Sequence, residues 1–336
     1  MKKATTAILL WAFGHAAGAQ ERHTPQQVMD IMEKSSITYE LNVLDKPIPP
    51  RDRSGNLNFN NVYREAKSDG QGFSVIPYEP DSNVAVLILA AEKEFARNNY
   101  AAAREKYQEA LKADPSFFQI MTYIGQTYRL EGDLTKAMEW YEKTIEKNYI
   151  DYMAHWFLAD LLFESGKLDR AVEEITIAKI LNRNNPRIDL SYNKIYAKKK
   201  LKTDNWSFNP QVALDSTGAK QVRISFVQDW FGYALIKAAW RYEPGYKESM
   251  GETRSGLSMT EEKEGILGLL TMIEEKNKKK YPEIQALQLA FDKKHVHEYI
   301  LYEIMLPRYP QLAYSLPRPV IEEIKTYVLE VRGKGK

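Results

Sequence analysis

The sequence contains no cysteine. No disulfide can form, no thiolate metal site can be built, and no acylated cysteine can follow the N-terminal apolar run, so no lipid anchor of that kind is expected. Long apolar runs are also missing. Nothing reaches the roughly 20 apolar residues that a membrane-crossing helix needs, so no transmembrane segment is expected. Histidine is scarce, with 5 in 336 residues. Neither charge is in surplus, with 47 Lys+Arg against 45 Asp+Glu. A protein that tracks nucleic-acid phosphates normally carries a net basic face, which excludes nucleic acid as the expected partner. The lysines at 198–200 and 278–280 fall near expected helix C-termini, where cations suit the helix dipole. Nucleophile elbows and phosphate-binding glycine loops are absent as well.

What is present is globular in composition: 44% hydrophobic, 27% charged and rich in tyrosine, with 21. The first residues form the pattern of an export signal. Lys2 and Lys3 give a positive start, Ala7 to Phe13 a short apolar run, and Ala17-Gly18-Ala19 a small-residue cleavage site. Residues 1–19 are therefore expected to be removed, leaving Gln20 first. Loss of Lys2 and Lys3 would leave 45 of the 47 basic residues against 45 acidic ones. A Lys-Lys start without cysteines suits a bacterial periplasmic protein, with secretion as the second choice.

Residues 20–82 read as an N-terminal extension. Thr24-Pro25 opens a short helix through Glu33. Pro47, Pro49, Pro50, Gly55, Gly70 and Gly72 then punctuate an irregular strap. From about Val84 a helical periodicity begins, and it repeats every 34 residues. Ala91, Gly125 and Ala159 keep that step, as do Asn98, Gly132 and Gly166. Ala103, Ala137 and Ala171 follow it, and so do Tyr107, Tyr141 and Ile175. A period of this length means two antiparallel helices per unit, stacked as a solenoid. The small columns admit close helix approach, and Gly132 and Gly166 end their first helices in a left-handed turn.

These residues resemble the tetratricopeptide repeat family. The clearest match runs from Asn99 to Pro115, and Gly125, Tyr128, Gly132, Ala137 and Tyr141 continue it. The resemblance covers 84–185. It implies an all-α, right-handed helical-repeat superhelix whose concave face binds a peptide or protein. Transferring the family's register places Gln119, Thr122, Tyr123, Gln126 and Arg129 of the second unit in the groove, with Trp156, Asp160 and Phe163 of the third. The family's terminal-carboxylate clamp uses lysine and asparagine where Thr122 and Gln126 stand, which speaks against that ligand type.

Asn185-Pro186 starts a capping helix that ends in lysines, closing a repeat region of 83–202. Residues 203–336 read as a smaller helical C-terminal region of no recognised family. It has a loop over 203–222 and helices from about Ile224 to Tyr242, after Ser258, from Pro282 to about Met305, and at Val320 to Val331. Glu243 to Leu257 reads as a mobile loop.

Chemistry is sparse. His295 and His297 lie two apart, so a helix would point them in different directions, and no metal site is expected. His155 occupies a column buried between helices. Glu261, Glu262 and Glu264 sit near a helix start, where the dipole accounts for them. No cofactor and no catalytic residue is expected. The chain reads as a non-enzymatic interaction scaffold of a cell-envelope or secretion assembly. One alternative is an enzyme with its active site in 203–336, which a deep pocket with perturbed carboxylates would favour. The other is a structural spacer, which a groove filled by flanking segments would favour.

Overall fold

The computed structural model describes residues 23–58, 63–68, 72–203, 206–253 and 256–333. The expected signal, 1–19, lies outside them. Along the chain the elements are α1 (Pro25–Glu33), β1 (Thr38–Val43), β2 (Tyr63–Ser68), β3 (Gly72–Pro77) and α2 (Ser82–Ala96). There follow α3 (Tyr100–Ala113), α4 (Gln119–Glu131), α5 (Leu134–Lys147), α6 (Tyr152–Glu164), α7 (Leu168–Leu181) and α8 (Pro186–Lys199). Next come β4 (Val212–Gly218), β5 (Gln221–Phe226), α9 (Phe231–Tyr242), α10 (Tyr246–Ser249) and α11 (Met259–Met272). The last are α12 (Glu275–Lys278), α13 (Pro282–Asp292), α14 (Val296–Tyr299), α15 (Leu306–Arg308) and α16 (Arg318–Tyr327). No helix among the described residues is long and apolar enough to cross a membrane.

The elements form two compact units, each discontinuous in sequence. The first takes the described residues of 53–203 and 306–336, and its body is the run α2–α8. The repeat columns do the work expected of them. A Cβ on Gly125 would meet Tyr141 Cε1 at 2.5 Å, so only glycine lets α4 and α5 close at this point. Asn98, Gly132 and Gly166 all have positive φ, at 61°, 87° and 75°. The tyrosine column is buried, with Tyr107 donating to Glu92 Oε1 at 2.5 Å.

A further column spaced by 34 shows its role only in the structure. Asp114, Asn148 and Asn182 end the three second helices, and each holds a piece of the preceding segment. Asp114 Oδ2 accepts from Tyr78 Oη at 2.6 Å, Asn148 Oδ1 from Glu65 N at 3.0 Å, and Asn182 Oδ1 from Asn58 N at 3.0 Å. Residues 58, 65 and 78 thus run past the third, second and first inter-unit turns in that order. Part of the expected irregular strap is an antiparallel hairpin, β2 paired with β3. At the other end α16 packs on α7, burying Ile321, Ile324 and Tyr327.

The second unit takes the described residues of 12–52 and 204–305. Here a three-stranded sheet of order β1-β5-β4 occurs where irregular chain was expected. β1 runs parallel to β5, and β4 antiparallel to it. The helix expected from Ile224 begins at Phe231 instead, because Val222, Ile224 and Phe226 alternate with period 2 and bury one face of β5. Val28 and Met32 of α1, and Ala234 to Trp240 of α9, complete that core. The helix expected from Pro282 to Met305 is broken at Lys294, which has φ 63°. Nor is 243–257 wholly a surface loop, since Tyr246 and Met250 are buried in the core.

Candidate functional site

The first helices of the repeats are α2, α4, α6 and α8, and side chains of α4, α6 and α8 meet along one face of the first unit. On this face Arg129 of α4 reaches α6, with Nη2 3.1 Å from Glu164 Oε1 and Nη1 3.9 Å from Asp160 Oδ2. Trp156 of α6 reaches α8, its Nε1 donating to Ser191 Oγ at 2.9 Å. The Lys194 ammonium lies 4.9 Å from the centre of the Phe163 ring. Burial pushes the Asp160 carboxyl up, against the opposing pull of Ser191 and Arg129. Tyr123 is half-buried against Tyr107, with ring centres 5.6 Å apart, and burial raises its phenol as well.

Six of the eight groove residues expected from the sequence, Tyr123, Gln126, Arg129, Trp156, Asp160 and Phe163, therefore lie partly open on α4 and α6. Two do not. Thr122 is fully buried and its hydroxyl donates to Asp151 Oδ2 at 3.2 Å, bracing the residue that caps α6. Gln119 is only 5% exposed and faces a small pocket lined by Tyr63, Arg64, Tyr78 and Asn148. Both are packing residues: the start of α4 is covered by the hairpin, which the repeat register alone does not include.

The 34-residue period carries the face beyond α4 and α6, onto α8 and α2. Stepping 34 from Trp156, Phe157 and Asp160 lands on Leu190, Ser191 and Lys194, the residues that continue the face. Leu190 is 74% exposed. Stepping back from Tyr123 reaches Leu89, 66% exposed. The signal was present in the period, but the basic end of α8 read as a solvated cap.

Elsewhere, His155 is packed as expected, its Nδ1 2.6 Å from Glu174 Oε2 and its Nε2 3.0 Å from the Tyr149 carbonyl. The carboxylates at the start of α11 are more than dipole partners, which corrects the sequence reading. Glu264 is buried and accepts from Trp240 Nε1 at 2.5 Å, Tyr246 Oη at 3.1 Å and the His23 backbone N–H at 3.1 Å. Glu262, also buried, accepts from Tyr233 Oη at 2.9 Å and Lys237 Nζ at 3.1 Å. Burial alone would depress the Lys237 amine, yet Tyr233, Glu262 and Glu261 outweigh it and raise it. The Lys237 amine thereby ties α9 to Glu261 and Glu262 of α11 through a buried pair of ion contacts. Among the described residues no group of three or more His, Asp or Glu side chains is placed to hold a metal ion.

No curated protein matches the chain. Among solved structures, the type III secretion chaperone SycD of Yersinia enterocolitica, in complex with a peptide of the translocator YopD, is similar to part of it. The identity is 16% and the TM-score 0.32, over 35% of this chain and 96% of that one. The family model for the tetratricopeptide repeat matches residues 88–149 and 141–186. Residues 88–186 form a tetratricopeptide-repeat segment.

Proposed function

We propose that this protein is a non-enzymatic scaffold that holds a protein or peptide on the face formed by α2, α4, α6 and α8. One observation carries the reading. Half-buried Tyr123, Trp156 and Phe163 and exposed Leu190 alternate there with Arg129, Asp160 and Lys194. Aromatic anchors in a polar frame are what a peptide-gripping surface needs: the rings supply apolar area, and the charged groups fix register. An open face is supported by the described part of 53–78, where Tyr78, Glu65 and Asn58 hydrogen-bond to the turn column at Asp114, Asn148 and Asn182 and Arg64 to Ser116 beside it.

The finer reading is that the protein works after export, in the bacterial periplasm, as part of an envelope or secretion assembly. The export pattern in 1–19 and the absence of cysteine support that address. The test is co-purification of the tagged full chain from envelope extracts, in parallel with a Trp156→Ala, Phe163→Ala variant. A partner retained by the wild type and lost by the folded variant is expected. Equal retention by both would refute the assignment of this face, and recovery of the chain only from the cytosol would refute the address.

A further inference from the structure

The second unit carries an open sheet edge. β1 stands at the margin of the order β1-β5-β4. Thr38 donates its backbone N–H to the Lys220 carbonyl at 2.9 Å, and Leu44 to the Phe226 carbonyl at 2.8 Å. Even-numbered residues of β1 therefore turn their N–H and C=O toward β5. Alternation along a strand sends those of Tyr39, Leu41 and Val43 to the opposite edge. Among the described residues no strand pairs with that edge.

The side chains of the same three residues lie on the core face of the sheet. Tyr39, Leu41 and Val43 are in register with Val222, Ile224 and Phe226, all of which are buried. Leu41 and Val43 nevertheless remain 52% and 53% exposed. Tyr39 is half-buried, tied by its hydroxyl to Glu243 Oε2 at 2.8 Å. An unpaired backbone edge and an uncovered strip of apolar face thus coincide on three residues. Sheets usually blunt such an edge with proline, lysine, inward charge or a bulge. The sequence Thr-Tyr-Glu-Leu-Asn-Val has no proline or lysine, its one charge is not on the core face, and it pairs with β5 in unbroken register.

We propose that this edge joins two copies of the chain through an antiparallel β1–β1 contact with Leu41 on the two-fold axis. That register sets Leu41 opposite Leu41 and Tyr39 opposite Val43 of the second copy. All three are outward-facing residues, so each is a hydrogen-bonded pair and every outward N–H meets a carbonyl. On the core face the two leucines meet, and each valine packs beside a tyrosine ring. Aromatic and β-branched residues pair well across strands, and the exposed strip is covered. On the other face Glu40 meets Asn42 of the second copy, so no like charges oppose, and Glu40 keeps its Arg223 partner at 3.0 Å. Moving the axis to Glu40 would set carboxylate against carboxylate and strand Val43. A two-fold contact uses up its own edge, so association through β1 stops at two.

The contact is independent of the repeat face and is tested on the full chain. Sedimentation equilibrium over rising concentration is expected to move the mass toward twice that of the single chain. Leu41→Pro removes an outward donor without touching a bond to β5, and Val43→Lys puts a charge in the strip. Both are expected to stay monomeric where the wild type pairs. Should either variant fold poorly, hydrogen exchange of the unaltered protein decides, because the amides of Tyr39, Leu41 and Val43 should exchange at least about tenfold slower when concentrated than when dilute. A single-chain mass throughout with exchange independent of concentration would overturn the proposal, as would a dimer unmoved by both folded variants.

Discussion

Trp156→Ala separates a binding tryptophan from a core one. Truncating a fully buried tryptophan costs about 3–5 kcal/mol. Trp156 keeps only a minor part of its surface open, so the lower part of that range is at stake, about 2–3 kcal/mol. Its hydrogen bond to Ser191 Oγ adds little, because Ser191 is itself partly exposed and regains water once the indole is gone. For a unit of this size each kcal/mol moves the melting temperature by roughly 2–4 °C, so a fall of about 4–12 °C is expected. Affinity should fall along with stability. A central aromatic anchor is worth about 2 kcal/mol or more, or about 30-fold in Kd. Thermal melts by circular dichroism and titration of the purified partner, on the same preparation, give both numbers. A melting shift beyond about 15 °C, or unchanged affinity in the folded variant, would refute the reasoning.

Gly232→Ala should destabilise the second unit even though alanine is the better helix former by about 1 kcal/mol. The new Cβ would lie 2.2 Å from the Gly268 carbonyl oxygen. α9 and α11 must then part, and a lower urea midpoint, by about 1–3 kcal/mol, is the expected readout. Asp160→Asn should stabilise the first unit at pH 7. The raised native carboxyl penalises the charged folded form, and that penalty is relieved as pH falls through its folded value, so the variant's advantage should fade on acidification. Lys179 is depressed to about 8, first by burial and then by Arg183, against the pull of Asp189. The folded state releases this proton before the unfolded one, so stability should rise between about pH 8 and 10 in urea melts, and Lys179→Met should abolish that rise.

The repeat body was legible because its packing demands the same volume at the same place in each unit. Gly125 under the Tyr141 ring and the left-handed Gly132 and Gly166 leave few substitutes, so a period of 34 shows through. What one segment does to a distant one was not legible. β1 finds its partner β5 more than 180 residues along the chain, and no local pattern joins them. Val222, Ile224 and Phe226 alternate plainly, yet Val222 falls in the expected loop and the other two run straight into an aromatic helix. Gln119 and Thr122 have the groove register but are covered by the hairpin and by Asp151. Glu264 sits near the start of a helix, and only the fold brings Trp240, Tyr246 and His23 to it. On the groove, the missing half lay one period further on, at Leu190 and Lys194.

The central claim is that the face of α2, α4, α6 and α8 holds another protein. Photo-crosslinking in living cells tests it most directly, with a benzophenone side chain placed in turn at Gln126 and Leu190 on that face and at Glu139 on the exposed side of α5. The account predicts the same discrete protein adduct from Gln126 and Leu190 and none from Glu139. Adducts confined to Glu139, or none from either position on the face, would contradict it.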